Sequence, residues 1–190
     1  CKYVLLPLLK TFIPQNPGIK IAISCRPTFE TIAALQSASI DIGLVGIPDT
    51  APNGSPAALD SAGWHTVTYL PLKSIADIFV ATDAYLAPFL TARTDTTSEP
   101  AKEDAIFREA TFIMLDKDNI SRKHTDGFLS RHGIGLSHVI EVNNMDLSMD
   151  FARAGLGIAC VISDFVKEDI KNGTLRELPL TTGFRNAKSV

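Results

Sequence analysis

One stretch, from Gly18 to Gly46, constrains this chain more than any other: GIKIAISCRPTFETIAALQSASIDIGLVG. It predicts strand, turn, helix and strand, the smallest unit of a parallel sheet with its crossover. Residues 19–24 form a short apolar run, β-branched at Ile19, Ile21 and Ile23 and broken by one Lys, which suits a sheet strand. Cys25, Arg26 and Pro27 make the turn, and the helix follows over 28–37. Thr28, Ile32 and Leu35 fall on one helical face with Phe29 beside them, the side expected to lie on a sheet. Residues 40–45 are the second strand, closed by Gly46 and Pro48. Open parallel sheets bind ligands outside the carboxyl ends of their strands, and a helix N-terminus favours anionic groups. Thr28 is therefore the first position at which to look for function.

The 190 residues are 45% hydrophobic, enough for one sizeable core or two small lobes. A formal net charge of −3, with no Lys/Arg block, gives no electrostatic footprint for nucleic acid. No apolar run is long enough to span a bilayer. Residues 1–10 read as an amphipathic helix and not as a signal peptide. Starting at Cys1 inside that helix, the chain reads as a piece of something longer. Three cysteines at 1, 25 and 160 do not make a disulfide framework, which fits a reducing, cytoplasmic setting. Cys160 lies in the apolar run 158–162, where cysteine behaves as a small buried hydrophobe. Cys25 is either a space-filling thiol beside a cleft or one exposed to oxidants.

Taken in order, Tyr3, Leu5, Leu6, Leu8, Leu9 and Phe12 mark a strongly apolar helix terminated by Pro14 and Pro17. It is apolar around much of its circumference, so one face is expected on the sheet and another on a second subunit. Residues 49–63 read as an exposed loop, 65–70 and 74–82 as strands, and 94–100 as another loop. A strand over 109–115 leads to a helix over 120–132, and a strand over 139–142 exits through Asn143 and Asn144. In the helix over 146–154, Leu147, Phe151 and Ala154 recur at i, i+4 and i+7, and Gly155 is expected to stop it in the left-handed conformation. A buried strand over 158–162 follows. Ser163 or Asp164 would cap a helix ending at Asn172 and Gly173, and 175–180 is the return strand. Strands alternating with helices predict an α/β protein, and the long strand at 74–82 with its return predicts two lobes.

Tyr3-x2-Leu6-Pro7-x-Leu9-x2-Phe12, then Pro17-Gly18-Ile19, then Leu35-x5-Asp41-Ile42-Gly43-Leu44-Val45, resembles the effector-binding domain of LysR-type transcriptional regulators. Downstream, Ala154-Gly155-Leu156-Gly157-Ile158-Ala159 and Asp169-x3-Gly173-x-Leu175 match that family's second characteristic stretch. Order and spacing over more than a hundred residues make the resemblance specific. It implies an α/β fold of two Rossmann-like lobes with a ligand cleft between them, like the type 2 periplasmic binding proteins. Lobe one would be 1–78 with 177–190, and lobe two 79–176. It further implies a bacterial, cytoplasmic, effector-sensing domain that binds a small polar or anionic metabolite and modulates DNA binding and transcription. DNA would be reached only through an N-terminal winged helix-turn-helix domain absent from this chain. The family pattern also expects a strand before Tyr3 and a strand and helix after Val190. Its dimers pack the first helix against the lobe-two helix of a twin subunit. Here that pairs the helix at Tyr3 to Phe12 with 120–132, where Arg122, Lys123 and Arg131 would frame the contact. A homodimer is expected, with higher oligomers in a full-length protein.

The family places a Ser or Thr at the start of the second helix, matched by Thr28, whose hydroxyl and adjacent N–H groups would donate to a carboxylate. Thr28 as a simple helix cap is compatible with this, since both uses point to one place. Arg26 would either clamp a carboxylate with two hydrogen bonds or point to solvent. Gly46 and Ile47 match the next cleft-lining turn. From lobe two, Asn119, Ser121, Asn143 and Asn144 follow strands and are expected to face the same cleft, although turn asparagines often serve local structure. Asp116 and Asp118 read as turn and cap residues. Oxidant sensing, which in the family uses paired cysteines in lobe two, is not expected with Cys160 alone. No nucleophile elbow, zincin, phosphate-loop or dinucleotide glycine motif occurs, and the four histidines lack metal-ligand spacing. No enzyme activity, metal or cofactor is therefore expected, and no membrane association. The alternative is a solute-binding protein of the same fold, which an upstream signal peptide would reveal.

Overall fold

The computed structural model describes residues 2–48, 68, 70–91, 99–178, 180, 184 and 186–189. The expected loop at 49–63, most of the strand expected at 65–70 and residues 94–98 of the loop expected over 94–100 lie outside these residues, while residues 99 and 100 are helical. The chain divides into two compact units, Cys1–Ser74 with Lys188–Val190, and Ile75–Ala187.

In the first unit, helix α1 spans Lys2–Gln15 and contains Pro7 and Pro14. Pro14 does not terminate it as expected, because a proline in the last turn removes only one hydrogen bond from a helix that is already ending. Asn16 closes that end: its Nδ2 donates to the Phe12 carbonyl at 2.9 Å, and its N–H to that of Ile13. Helix α2 spans Thr28–Gln36 and buries Thr31, Ile32 and Ala34, while Phe29 is exposed. The buried face is thus rotated from the one expected through Thr28, Ile32 and Leu35. Gly43 lies against that helix so closely that an added Cβ would be 2.8 Å from Thr31 Cγ2 and 2.9 Å from Leu35 Cδ1. The strands expected over 19–24 and 40–45 do not form. Ile19, Ile21, Ile23 and Ile42 stay exposed, and a β-branched run becomes a strand only where a partner satisfies its backbone. Strand β1 is confined to Ile47–Pro48, paired antiparallel with β7 (Asn186–Ser189) through Ile47 with Ser189 and Pro48 with Lys188.

The second unit carries a sheet in the order β2-β5-β3-β4. Its strands are β2 (Ser74–Ala81), β3 (Thr111–Leu115), β4 (His138–Val142) and β5 (Ile158–Ile162). Strands β4 and β5 both run parallel to β3, and β2 runs antiparallel to β5. Every residue of β5 is buried, as its continuous apolar run predicts for a central strand. The return strand β6 is only Arg176–Glu177, on β2, and Leu178 continues the link through its N–H to the Phe79 carbonyl.

Two helices went unforeseen, α3 (Asp83–Thr91) and α4 (Glu99–Glu109). The latter occupies polar sequence and the start of the expected strand at 109–115. They supply Leu86, Ile106 and Phe107 to a core built on Phe79, whose ring meets Phe107 and Phe112 edge-on and stacks on Phe184 at 4.5 Å.

Helices α5 (Ile120–Arg131) and α6 (Met145–Arg153) lie where expected. The buried face of α6 is Ser148, Met149 and Ala152 rather than Leu147, Phe151 and Ala154. Gly155 takes φ +71° as expected, and the N–H of Leu156 returns to the Phe151 carbonyl while that of Gly155 returns to Ala152. Gly157 is needed for a different reason: a Cβ there would lie 2.6 Å from the Thr111 carbonyl oxygen of the neighbouring strand.

Ser163 and Asp164 do not cap a helix. They form a 3-10 turn, Ser163–Phe165, ahead of the short α7 (Lys167–Lys171), and Asp164 pairs instead with Lys167. Asp169 accepts two hydrogen bonds from Arg153, at 3.0 and 2.8 Å, tying α7 to the end of α6. With Gly173 at φ +78° and Leu175 buried, this gives the Asp169-x3-Gly173-x-Leu175 spacing a structural role.

Candidate functional site

In the first unit the candidate positions gather where α2 begins. Pro27 is its N-cap, with no side-chain cap bond, and Thr28 is the first helical residue, half-buried. Thr28 is therefore not the cap. The cap-side bonds come from Thr31, whose N–H and hydroxyl both donate to the Pro27 carbonyl, at 3.0 and 3.1 Å. Helical geometry leaves the N–H groups of Thr28 and Glu30 without an acceptor inside the helix. Arg26 and Cys25 are exposed just upstream. Gly46 is half-buried and leads into β1, which begins at Ile47.

In the second unit the positions gather at the carboxyl ends of β3 and β4. These strands are parallel neighbours, and the Asp116 N–H donates to the Val142 carbonyl at 2.9 Å, joining their exit turns. Helices α5 and α6 start from those turns, so two helix N-termini arise side by side. Asn119 caps α5 by accepting from the Ser121 N–H at 2.9 Å, and Asn144 caps α6 by accepting from the Leu147 N–H at 2.8 Å. The Asn144 amide also donates to Asn143 Oδ1 at 3.0 Å. The side-chain oxygens of Asn119 and Asn144 thus serve the helices.

Ser121 also lines a small recess that sequence reasoning missed. Asp77, Met114, Leu115, Arg122, Thr125, Met145 and Cys160 complete its walls, which are partly open to solvent and leave room for about one water-sized group. Asp77 is 1% exposed and lies inside the antiparallel β2, paired in register with Ile162 at the carboxyl end of β5. The missed signal was one carboxylate inside the apolar run IADIFVA. Arg122 was expected to frame a subunit contact, but it is buried. Its Nε donates to both Asp126 oxygens at 2.8 and 2.9 Å, and its Nη1 to the Leu115 carbonyl at 2.8 Å. A guanidinium at a helix start satisfies an exposed strand-end carbonyl better than solvent can, which draws it inward. Cys160 is buried, with its sulfur 3.5 Å from Thr125 Oγ1.

Among the described residues no group of three His, Cys, Asp or Glu side chains is placed to hold a metal ion, and no helix is long and apolar enough to cross a membrane.

The LysR substrate binding domain family matches residues 1–187. No curated protein matches the chain. Solved structures with the same fold include the regulatory domain of CcmR from Synechocystis PCC6803 in complex with 2-PG. It has a TM-score of 0.68 and 18% identity, over 100% of this chain and 82% of that one. The apo regulatory domain of HypT from Salmonella typhimurium gives a TM-score of 0.66 at 14% identity, over 97% and 78%. The cofactor-binding domain of the Cbl transcriptional regulator gives 0.66 at 19% identity, over 98% and 72%.

Proposed function

This chain belongs to the LysR substrate binding domain family and is the effector-binding regulatory domain of a LysR-type regulator, and from that premise we propose that its effector is a small organic anion or polar metabolite held by Thr28 and its neighbours. The observation that carries this reading is the uncapped start of α2, where helical N–H groups and a half-buried hydroxyl meet at the positive end of a helix dipole. Arg26, Gly46 and Ile47 would extend that site. On the second unit, Ser121, Asn143, Asn119 and Asn144, beside the paired N-termini of α5 and α6, are a second set of candidate effector contacts. That CcmR was solved with 2-PG supports a small effector for this fold.

LysR-type regulatory domains as a class are regulators rather than enzymes, and we propose binding without turnover here too. In such regulators DNA is contacted by a separate domain, which for this chain makes DNA an indirect partner and the bacterial cytoplasm the setting. The family match favours this reading over a free solute-binding protein. Thermal-shift screening of carboxylates and amino acids is expected to find a ligand that stabilises the wild type and loses that effect in Thr28→Ala. A ligand that stabilises Thr28→Ala equally would place the site elsewhere.

A further inference from the structure

We infer that Arg122 is the positioning residue of the second unit's candidate contacts. Its guanidinium holds the exit turn of β3 and the exit turn of β4 in one arrangement. Asn119 and Ser121 at one helix start thereby keep a fixed place beside Asn143 and Asn144 at the other. This rests on the effector-binding reading and deepens it by naming the residue that shapes one set of contacts. The side chain is only 8% exposed, although it sits in the first turn of α5.

Ties from three elements converge on that guanidinium. Its Nη1 donates to the carbonyl of Leu115, the last residue of β3, at 2.8 Å. Its Nε donates to Asp126, one turn further along α5, at 2.8 and 2.9 Å, which fixes the side chain against its own helix. Nη1 also lies 3.6 Å from the Glu141 carboxylate, one residue before β4 ends. Leu115 pairs in register with Val142, and the Asp116 N–H crosses to the Val142 carbonyl. The ties therefore meet where both turns leave the sheet.

The chemistry explains why the position calls for a fork and not merely for a charge. A guanidinium is planar with donors in fixed directions, whereas an ammonium is a point charge on a flexible stem. The fork donates to the Leu115 carbonyl and to Asp126 at once while facing Glu141. Both carboxylates are about half exposed, at 46% and 47%, so solvent weakens their pull on any cation. The directed bond to the strand-end carbonyl is what a change of side chain would lose, and with it the hold on the turn that follows. Contacts held in place before a ligand arrives bind it without the cost of ordering them first.

The test reads the backbone amides of the 190-residue chain by NMR with no ligand added. Its failure therefore leaves the Thr28 reading intact, and a ligand screen without hits leaves the role of Arg122 intact. Arg122→Lys keeps the charge and removes the fork. The Asp116 amide, which joins the two turns, is expected to exchange with solvent about tenfold faster or more. The Leu147 amide, bonded to Asn144 at the other helix start, is expected to shift its resonance. The Ala154 amide at the far end of α6 and the Asn172 amide at the end of α7 are expected to keep wild-type exchange. Asp126→Asn, at a half-exposed position, releases the Nε tie and should give the same pattern more weakly; it decides alone if Arg122→Lys does not fold. Wild-type behaviour of Asp116 and Leu147 in the folded variants overturns the proposal, since charge alone would then suffice. A change at Asp116 that leaves Leu147 unmoved overturns it as well, because Arg122 would then hold only its own turn. Equal acceleration at Asp116, Ala154 and Asn172 also overturns it, by showing a general contribution to stability in place of a hold on the two turns.

Discussion

The two units begin from similar sequence and end differently. Residues 19–24 and strand β5 are both short, apolar runs rich in β-branched residues. In the second unit β5 pairs with β2 and β3 and all five of its residues are buried. In the first unit Ile19, Ile21 and Ile23 are 54%, 40% and 61% exposed, and no ladder forms there among the described residues. The lesson is that hydrophobic pattern makes a strand possible, and a partner backbone makes it actual. The second unit has its core on the inside. The first carries much apolar surface on the outside, including Leu6 at 58%, Leu8 at 53% and Ile13 at 50% on α1.

That contrast sets the largest expected effect. We propose that this apolar helix face is a subunit contact, and a two-fold interface would present each patch twice. Leu8 faces outward whereas Leu9 is half-buried, so Leu8→Glu is the informative change. Light scattering at micromolar concentration should give a dimer for the wild type and a monomer for Leu8→Glu. A monomeric wild type would break the comparison, because α1 would then be exposed for some other reason.

The asymmetry also explains what was readable in advance. Alternation of strands and helices, the buried run of β5, the boundaries of α5 and α6, and the left-handed Gly155 all follow from local chemistry, and all lie in the second unit. Helix α4 was missed because its first turns are polar and its burial comes from Ile106 and Phe107 near its end. The candidate site was readable only as positions in sequence. The turns at Asn119 and Asn144 were found, but not that their oxygens would be taken by the Ser121 and Leu147 N–H groups. Asp77 was passed over because an acid inside a strand carries no motif. Only the fold brings it beside Ser121, Thr125 and Arg122, which are 44 or more positions away in sequence.

A smaller effect separates the units by how rigidly their glycines are enclosed. At Gly157 the added Cβ would meet the Thr111 backbone carbonyl, which belongs to a paired strand and cannot retreat without disturbing the ladder. Gly157→Ala should destabilise the second unit by about 1–3 kcal/mol. At Gly43 the same atom would meet side chains rather than backbone: the tip of Leu35, which can turn, and Thr31 Cγ2, whose residue is held by its hydroxyl bond to the Pro27 carbonyl. Gly43→Ala should cost about 1 kcal/mol or less, at the low end of the overpacking range. Hydrogen exchange resolved by segment would report each loss in its own unit. Equal losses at the two sites would mean that the packing around α2 is as unyielding as that of the sheet.

The smallest expected effect is also the one with the opposite sign. Helices α2, α5 and α6 end in the same way, with the residue after the C-cap in the left-handed region and its successor bonding back to the helix. In α5 that residue is Gly133 at φ +67°, and the Ile134 N–H reaches the Leu129 carbonyl. In α6 it is Gly155. In α2 it is Ala38 at φ +53°, the one non-glycine residue at positive φ among the described residues, and the Ser39 N–H reaches the Ala34 carbonyl at 2.9 Å. A side chain in that conformation crowds its own backbone at a cost of roughly 1–2 kcal/mol. Glycine removes the crowding and costs about 0.4–1 kcal/mol through the greater freedom of the unfolded chain. Ala38→Gly should therefore stabilise by about 0.5–1 kcal/mol, which in a chain of this length raises Tm by about 1–4 °C. The mirror change, Gly155→Ala, should destabilise the second unit by a similar amount, since its new Cβ would meet only Thr82 Oγ1 at 3.4 Å and the backbone conformation is the main penalty. Calorimetry on the two variants separates the cases: opposite shifts of similar size would show that one motif governs both helix ends, and a fall in Tm for Ala38→Gly would show that Ala38 holds α2 by a contact of its own.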